Sequence, residues 1–151
     1  MTFESRCVAI IATESGAAGG AERLNLALAR AIEAQGCDVK IVTLPAPEPD
    51  AATILQNYDA FAELDLSAFD AVISTKAPTY AVHHDNHIVY LVHTVRAFDD
   101  MFAQVFPVPE PEHYRQRYEI QQRDFRALAG ARKRFAIGHE VATRLYKWRG
   151  L

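Results

Sequence analysis

Short, continuous apolar runs alternate along this chain with segments that carry the hydrophobic spacing of helices. The run CVAIIA at 7–12 favours a strand buried on both faces, because side chains of both orientations are apolar. Strands of this kind that alternate with helices form parallel sheets covered by helical layers. The pattern therefore predicts one α/β domain over 1–151, a Rossmann-like three-layer sandwich with a mainly parallel sheet.

Each predicted element has its own spacing signal. The helix over 113–129 is polar, and we expect its inner side to be the narrow stripe Tyr114, Tyr118, Phe125 and Leu128. The predicted strands are 7–12, 39–44, 70–74, 87–93 and 134–137. The predicted helices are 21–32, 51–64, a short one after Pro78, a short one over 95–102, then 113–129 and 140–148.

Charge is distributed unevenly along the chain. Residues 1–112 carry 6 Lys and Arg against 16 Asp and Glu, whereas residues 113–151 carry 10 against 3, a local excess of +7. Such a segment is either a solvated helix face or a patch that meets phosphate groups, nucleic acid or an anionic membrane surface. No run approaches 18 apolar residues and no signal peptide opens the chain, so a cytoplasmic location is expected.

A glycine-rich stretch, 15–20, follows the first strand and leads into the first helix. Free N–H groups and the dipole at a helix start favour an anion, typically a phosphate. No lysine follows the glycines as a Walker A loop requires, and no carboxylate ends the second strand, which disfavours NAD. The alternative is that these glycines only make a tight turn.

In a parallel sheet, ligands bind where the strands end, and several polar side chains fall there. His93 ends the fourth strand, where an imidazole can orient a hydroxyl, accept a proton or bond to a sugar; the alternative is a structural histidine. Lys76 and Arg96 flank the same rim and suit a phosphate or carboxylate, or are simple surface charges. Glu22 lies in the first helical turn, where a carboxylate also stabilises the helix start.

A histidine cluster, 83–87, raises the question of a metal site. His83 and His87 would share a face if this stretch were helical. The pair Asp85-Asn86 indicates a turn instead, so no metal is predicted. Serine hydrolase chemistry is not supported either, because no GxSxG pattern surrounds Ser74.

Several short segments, in this order and spacing, resemble the amino-terminal domain of the retaining GT-B glycosyltransferases of family 4, also called group 1. The final one departs from the family pattern, because Gly138-His139 replaces the usual serine. The matching segments are GGAER at 19–23, GCDV at 36–39, DAVIS at 70–74, YLVHT at 90–94, and FAIG at 135–138 before EVA at 140–142.

The resemblance implies a fragment of a two-domain enzyme that transfers a sugar from a nucleotide-sugar co-substrate to a carbohydrate or lipid-linked acceptor. The carboxyl-terminal donor-binding domain would be absent from 1–151, leaving the fragment inactive alone. Gly19 and Gly20 would face the donor diphosphate or the acceptor, and His93 would contact the transferred sugar. The resemblance implies no metal, no cofactor and no nucleic acid. It offers two roles for the basic 113–149 segment, either contact with the inner membrane face or a place near the contact between the two domains. The alternative is a stand-alone, non-catalytic module that binds a nucleotide or phosphorylated sugar.

Overall fold

The computed structural model describes residues 5–14 and 19–151, and it has the predicted alternation of strands and helices. Residues 15–18, which form most of the predicted glycine loop, lie outside the described residues. The strands are β1 Cys7–Glu14, β2 Asp38–Pro45, β3 Ala71–Lys76, β4 His87–His93 and β5 Lys133–Ala136. The α-helices are α1 Gly20–Glu33, α2 Ala51–Ala62, α3 Phe102–Val105, α4 Pro111–Gly130 and α5 His139–Arg149, and the 3-10 helices are Thr79–Ala81 and Arg96–Phe98.

The five strands form one parallel sheet in the order β2-β1-β3-β4-β5. The order reverses at β1, since the chain moves first to β2 on one side and then to β3 on the other. Six consecutive side chains of β1 are buried, which confirms the strand predicted from its apolar run. The architecture is a Rossmann-like three-layer α/β sandwich, and its strand ends line up along one edge.

The larger core lies on one face of the sheet, beneath α2 and α4. Ala9 and Ile11 of β1 contribute to it together with Val89 and Leu91 of β4. Alternate residues of these strands point to this face, which follows from the twofold period of a strand. The helices and the 3-10 segment close it with Ile54, Tyr58, Phe61, Tyr80, Ile120 and Leu128, all of them buried.

The predicted inner stripe of α4 is confirmed at Leu128 but wrong at its three aromatic residues, because the helix is rotated relative to that expectation. Tyr114 and Tyr118 are 53% and 65% exposed, and Phe125 is also exposed. The side chains that face the core are Ile120, Asp124 and Leu128, each 0% exposed. The prediction failed because the observed inner stripe includes the carboxylate of Asp124. A prediction based on apolar residues alone places such a residue on the outer side of the helix.

The opposite face of the sheet carries α1, which packs on β1 and β2 and reaches β3 through a hydrogen bond from Thr75 Oγ1 to Asn25 Oδ1 of 3.3 Å. Farther along the sheet this face is less covered. Ile88 and Tyr90 of β4 are half-buried, and the neighbouring Phe135 of β5 is 52% exposed.

Candidate functional site at the strand ends

Two of the predicted site residues are neighbours across the sheet. Lys76 ends β3, His93 ends β4, and the two are register partners in the parallel ladder. A hydrogen bond of 3.2 Å from the Ala77 N–H to the His93 carbonyl continues the pairing beyond the strand. Both side chains are half-buried, and within the described ranges Lys76 Nζ has no ion-pair partner. The edge therefore presents an uncompensated ammonium beside an imidazole.

The start of α1 lies along the same edge, because β1 is the direct neighbour of β3. Only one strand separates β1 from β4, which corresponds to about 10 Å across the sheet. Gly19 is half-buried and Gly20 is exposed. A Cβ built on Gly20 would meet no atom within 4 Å, so other groups can approach its backbone. Gly20 is thus open, whereas Gly19 lies against Glu22, and both glycines share an edge with His93.

Glu22 has a defined structural role at this helix start. The Gly19 N–H donates a hydrogen bond of 2.8 Å to Glu22 Oε2, which caps the first turn of α1. A Cβ on Gly19 would lie 2.8 Å from that same oxygen, so Gly19 provides the space the cap needs. Glu22 therefore organises the helix start, whatever ligand meets it.

The ring orientation of His93 follows from one hydrogen bond. Nδ1 lies 3.0 Å from the carbonyl oxygen of Thr94, which can only accept, so Nδ1 carries the proton and donates. In the neutral ring, Nε2 is then the nitrogen that retains a lone pair. That nitrogen can accept a hydrogen bond from a hydroxyl group, which is the chemistry predicted for this position.

Arg96 is less available than the sequence indicates. Its guanidinium forms an ion pair with Asp100 at 2.8 Å, one helical turn along the chain. The hydrogen bond to Asp100 raises the pKa of Arg96 further. The side chain is 45% exposed, so Arg96 borders the rim with its charge already neutralised. We use the name strand-end site for Gly19, Gly20, Lys76 and His93, with Arg96 at its border.

Directly behind this rim lies a buried group of polar side chains that sequence reasoning missed. The guanidinium of Arg149, at the end of α5, binds Asp99 through Nη1 at 2.8 Å and through Nη2 at 3.0 Å. It also donates to Asp124 of α4 through Nε at 3.1 Å and through Nη2. All three side chains are at most 1% exposed. One arginine therefore links two buried carboxylates from different elements.

Two buried phenols complete this group. The Tyr58 and Tyr80 hydroxyls both donate to Asp124 Oδ1, the second at 2.6 Å. Burial raises the pKa of Tyr58 and Tyr80 well above the usual value, and the charge of Asp124 adds to this. Burial also raises the pKa of Asp124, against the opposing effect of Arg149 and the phenols. We call Asp99, Asp124, Arg149, Tyr58 and Tyr80 the buried carboxylate network.

The network fixes the loop that follows β4. Asp99 accepts hydrogen bonds from Thr94 Oγ1 and, at 3.1 Å, from Gln121 Nε2. Arg117 Nε donates to the Phe98 carbonyl at 3.0 Å. The segment between Thr94 and Asp99 is thereby tied to α4 and α5, and it positions Arg96 at the rim. The signal in the sequence is Asp124, a carboxylate spaced four residues from both Ile120 and Leu128, which needs a buried partner.

The histidine cluster lies at the opposite edge, where β4 begins. His84 accepts from the Asn86 N–H at Nδ1 and donates from Nε2 to the Phe69 carbonyl, both at 3.0 Å, and these two bonds hold the ring in place. His87 Nε2 lies 2.8 Å from Ser74 Oγ. The segment between them is a turn, as predicted, and the described residues contain no group of three metal-ligating side chains.

Acidic side chains compensate part of the charge of the basic carboxyl-terminal segment. Arg149 is buried with two carboxylates, and three other arginines of the segment have acidic partners. Within the described residues, no helix combines the length and hydropathy that a membrane span requires. The three other pairs are Arg115 with Glu112, Arg123 with Asp59, and Arg144 with Glu140.

Comparison of the chain with protein-family models and with curated proteins gives no match.

Proposed function

We propose that this chain is the amino-terminal, acceptor-side domain of a retaining glycosyltransferase, and that its strand-end site meets a nucleotide-sugar diphosphate and the acceptor. The observation that carries the proposal is the shared edge. Three neighbouring strands lead to the start of α1, to Lys76 and to the imidazole of His93. Lys76 has no ion-pair partner among the described residues. A nucleotide sugar suits this arrangement, because its diphosphate can contact the start of α1 and Lys76 while a hydroxyl of its sugar ring contacts His93.

Each group has a chemical role in the proposal. The Gly20 N–H and the dipole at the start of α1, with the ammonium of Lys76, stabilise the negative charge that develops on the departing diphosphate. His93 Nε2 accepts a hydrogen bond from a sugar hydroxyl and orients the ring. The bond from the anomeric carbon to the phosphate oxygen breaks as the acceptor oxygen bonds to that carbon on the same face, and the proton of the acceptor hydroxyl passes to the departing diphosphate oxygen. The donor-binding domain of the resemblance would supply the other wall of the cleft and exclude water.

Binding of a diphosphate provides the direct test. We expect uridine diphosphate and inorganic diphosphate to shift the backbone amide signals of Gly19 and Gly20, and the ring signals of His93, in a nuclear magnetic resonance titration. Replacement of Lys76 by Gln should weaken binding about tenfold, since it removes one charge-assisted contact. Lys40→Gln is the matched control, because Lys40 is exposed on the edge strand β2.

A test of sugar transfer requires this chain together with the donor-binding domain that the proposal assigns to the enzyme. A panel of nucleotide sugars with carbohydrate and lipid-linked acceptors should show transfer that His93→Ala lowers at least about a hundredfold, the range of a positioned hydrogen-bonding group. Equal diphosphate affinity of the Lys76→Gln and Lys40→Gln variants would remove the strand-end site from the proposal. Binding without transfer to any acceptor would favour a non-catalytic module instead.

A further inference from the structure

A second cleft lies at the other edge of the sheet, far from the strand-end site. It is bounded by α4, by the end of α2 and by the loop before β4, and its volume is about 840 Å³. His87, at the start of β4, lines it, whereas His93 ends the same strand. His87 and His93 are six positions apart along an extended strand, which corresponds to about 20 Å. We call this feature the α4 cleft.

One stripe of α4 forms a wall of the α4 cleft. The lining positions recur three or four residues apart, which places them on one side of the helix. The stripe is polar and cationic, in contrast to the inner side at Ile120 and Leu128. Its members are Arg115, Tyr118, Glu119, Gln122, Arg123 and Arg126.

The charges on this stripe are not equally available. Arg115 forms an ion pair with Glu112, and Arg123 forms one with Asp59. Arg126 is exposed and has no acidic partner among the described residues. Asp85 and Glu119 line the cleft as well. Arg126 is therefore the cleft guanidinium that keeps its donors free within the described part of the chain, and such a group binds phosphate or carboxylate oxygens in a bidentate manner.

The remaining surroundings are suited to a flat ring. Tyr118 is 65% exposed at the cleft, so an accessible aromatic ring lies on the same stripe of α4 as Arg126. Buried Ala81 and Val82 provide an apolar wall opposite. Small-molecule sites combine apolar walls with a few polar groups, in volumes of about 300–1,000 Å³.

We propose that the α4 cleft binds a small organic anion in which a planar ring is linked to a phosphate or carboxylate. Arg126 binds the anionic group, and Tyr118 stacks on the ring. The side chains of His84 and His87 hold the cleft wall in place through their hydrogen bonds to Phe69 and Ser74. This inference stands independently of the proposed function, because it uses no residue of the strand-end site.

Adenosine monophosphate is a suitable probe, since it joins a flat base to a phosphate. In a nuclear magnetic resonance titration we expect it to shift signals of Tyr118, Gln122 and Arg126. Arg126→Gln should raise the dissociation constant about tenfold, because one charge-assisted bidentate contact is lost. Tyr118→Ala should raise it about tenfold as well, through loss of stacking.

Two controls separate this site from other anion contacts. Arg30→Gln changes an exposed arginine on α1, across the sheet, and His93→Ala changes the strand-end site. Both should leave the affinity within about twofold, a difference well below the energy of one charged contact. Adenosine and inorganic phosphate should each bind at least about tenfold more weakly than the monophosphate, since each lacks one half of the recognised chemistry.

Several outcomes would overturn the inference. These are signal changes confined to Gly19, Gly20 and His93, equal affinity of the Arg126→Gln and Arg30→Gln variants, or no signal change with millimolar probe. Inorganic phosphate that binds as tightly as adenosine monophosphate would overturn the organic-ligand proposal and leave a simple phosphate contact.

Discussion

At the scale of single residues, the buried carboxylate network places two carboxylates and a guanidinium in the core of this domain. Two carboxylates within a core are tolerated only when enough donors surround them. Arg149 supplies both with hydrogen bonds, while two phenols, a threonine and an amide fill the remaining positions. Burial alone would lower the pKa of Arg149, but Asp124 and Asp99 raise it, so the guanidinium stays charged.

Replacement of Arg149 by Met should therefore destabilise the protein far more than loss of a surface arginine. We expect the free energy of unfolding to fall by about 3–5 kcal/mol, because Asp99 and Asp124 would remain buried without their cation. Urea unfolding followed by circular dichroism measures this change. In the control Arg115→Met, the arginine is 75% exposed beside Glu112, and we expect a much smaller change, because exposed ion pairs contribute little to stability. Similar losses in both variants would contradict a dominant role of the network.

The acid stability of the domain depends on His87. Burial lowers the pKa of this imidazole from 6.5 to about 4, and nearby His84 and His83 add to the effect. The unfolded chain then binds the proton more readily than the folded chain. His87 thus contributes stability above pH 6.5, and this contribution is lost as the pH falls towards 4.

We expect a loss of up to about 3 kcal/mol over that interval. His87→Gln should flatten the dependence, as urea unfolding at a series of pH values would show. Asp124 acts in the opposite direction, since its pKa is raised, so the informative quantity is the difference between variant and parent. His139→Gln, at an exposed position, should leave the slope as it is. Parallel pH curves for the parent and His87→Gln would show that the histidine is not the titrating group.

At the scale of elements, the sequence predicts what depends on local periodicity. The strand at Cys7–Glu14 and the helix at Gly20–Glu33 follow their apolar patterns closely. The predicted helix over 95–102 is instead a 3-10 turn at Arg96–Phe98 followed by α3, because Asp99 leaves the helical path to meet Arg149. Such a departure depends on a partner fifty residues away, and no local pattern contains it.

The rotation of α4 has a measurable consequence. Ile120→Ala removes a side chain that is 0% exposed, and we expect a loss of about 2–4 kcal/mol in the free energy of unfolding. Tyr118→Ala removes a side chain that is 65% exposed, and we expect a change within about 0.5 kcal/mol. Chemical denaturation of the two variants compares them directly. If Tyr118→Ala proved the more destabilising, the helix would be oriented as its aromatic stripe predicted.

At the scale of the whole molecule, the sequence predicts the fold and the edge where the strands end together, but not how that edge is supported. His93 and Lys76 are recognisable because each ends an apolar run, and strand ends of a parallel sheet share an edge. Asp99, Asp124 and Arg149 are not, because they come together only through tertiary packing of the loop after β4, α4 and α5. Local signals locate the rim, whereas long-range contacts determine its rigidity.

One face of the sheet is incompletely covered at β4 and β5. All-parallel sheets are usually covered on both faces, yet here Phe135 is 52% exposed, and its partner Tyr90 is only half-buried. Their neighbour Ile88 is half-buried too, so apolar surface is continuous across β4 and β5. Contiguous apolar surface of this kind binds apolar dyes even in a folded protein.

We therefore expect the native domain to enhance the fluorescence of anilinonaphthalene sulfonate. Phe135→Thr should reduce the enhancement by about half, because it removes an exposed ring from the apolar surface across β4 and β5. Threonine keeps the strand propensity of this position. Val108→Thr is the matched control, since Val108 is 86% exposed away from the sheet. The thermal unfolding midpoint of both variants should stay close to that of the parent, which separates dye binding at this face from partial unfolding. Equal enhancement by parent and Phe135→Thr would place the dye elsewhere, and this side of the sheet would then have no special affinity for apolar groups.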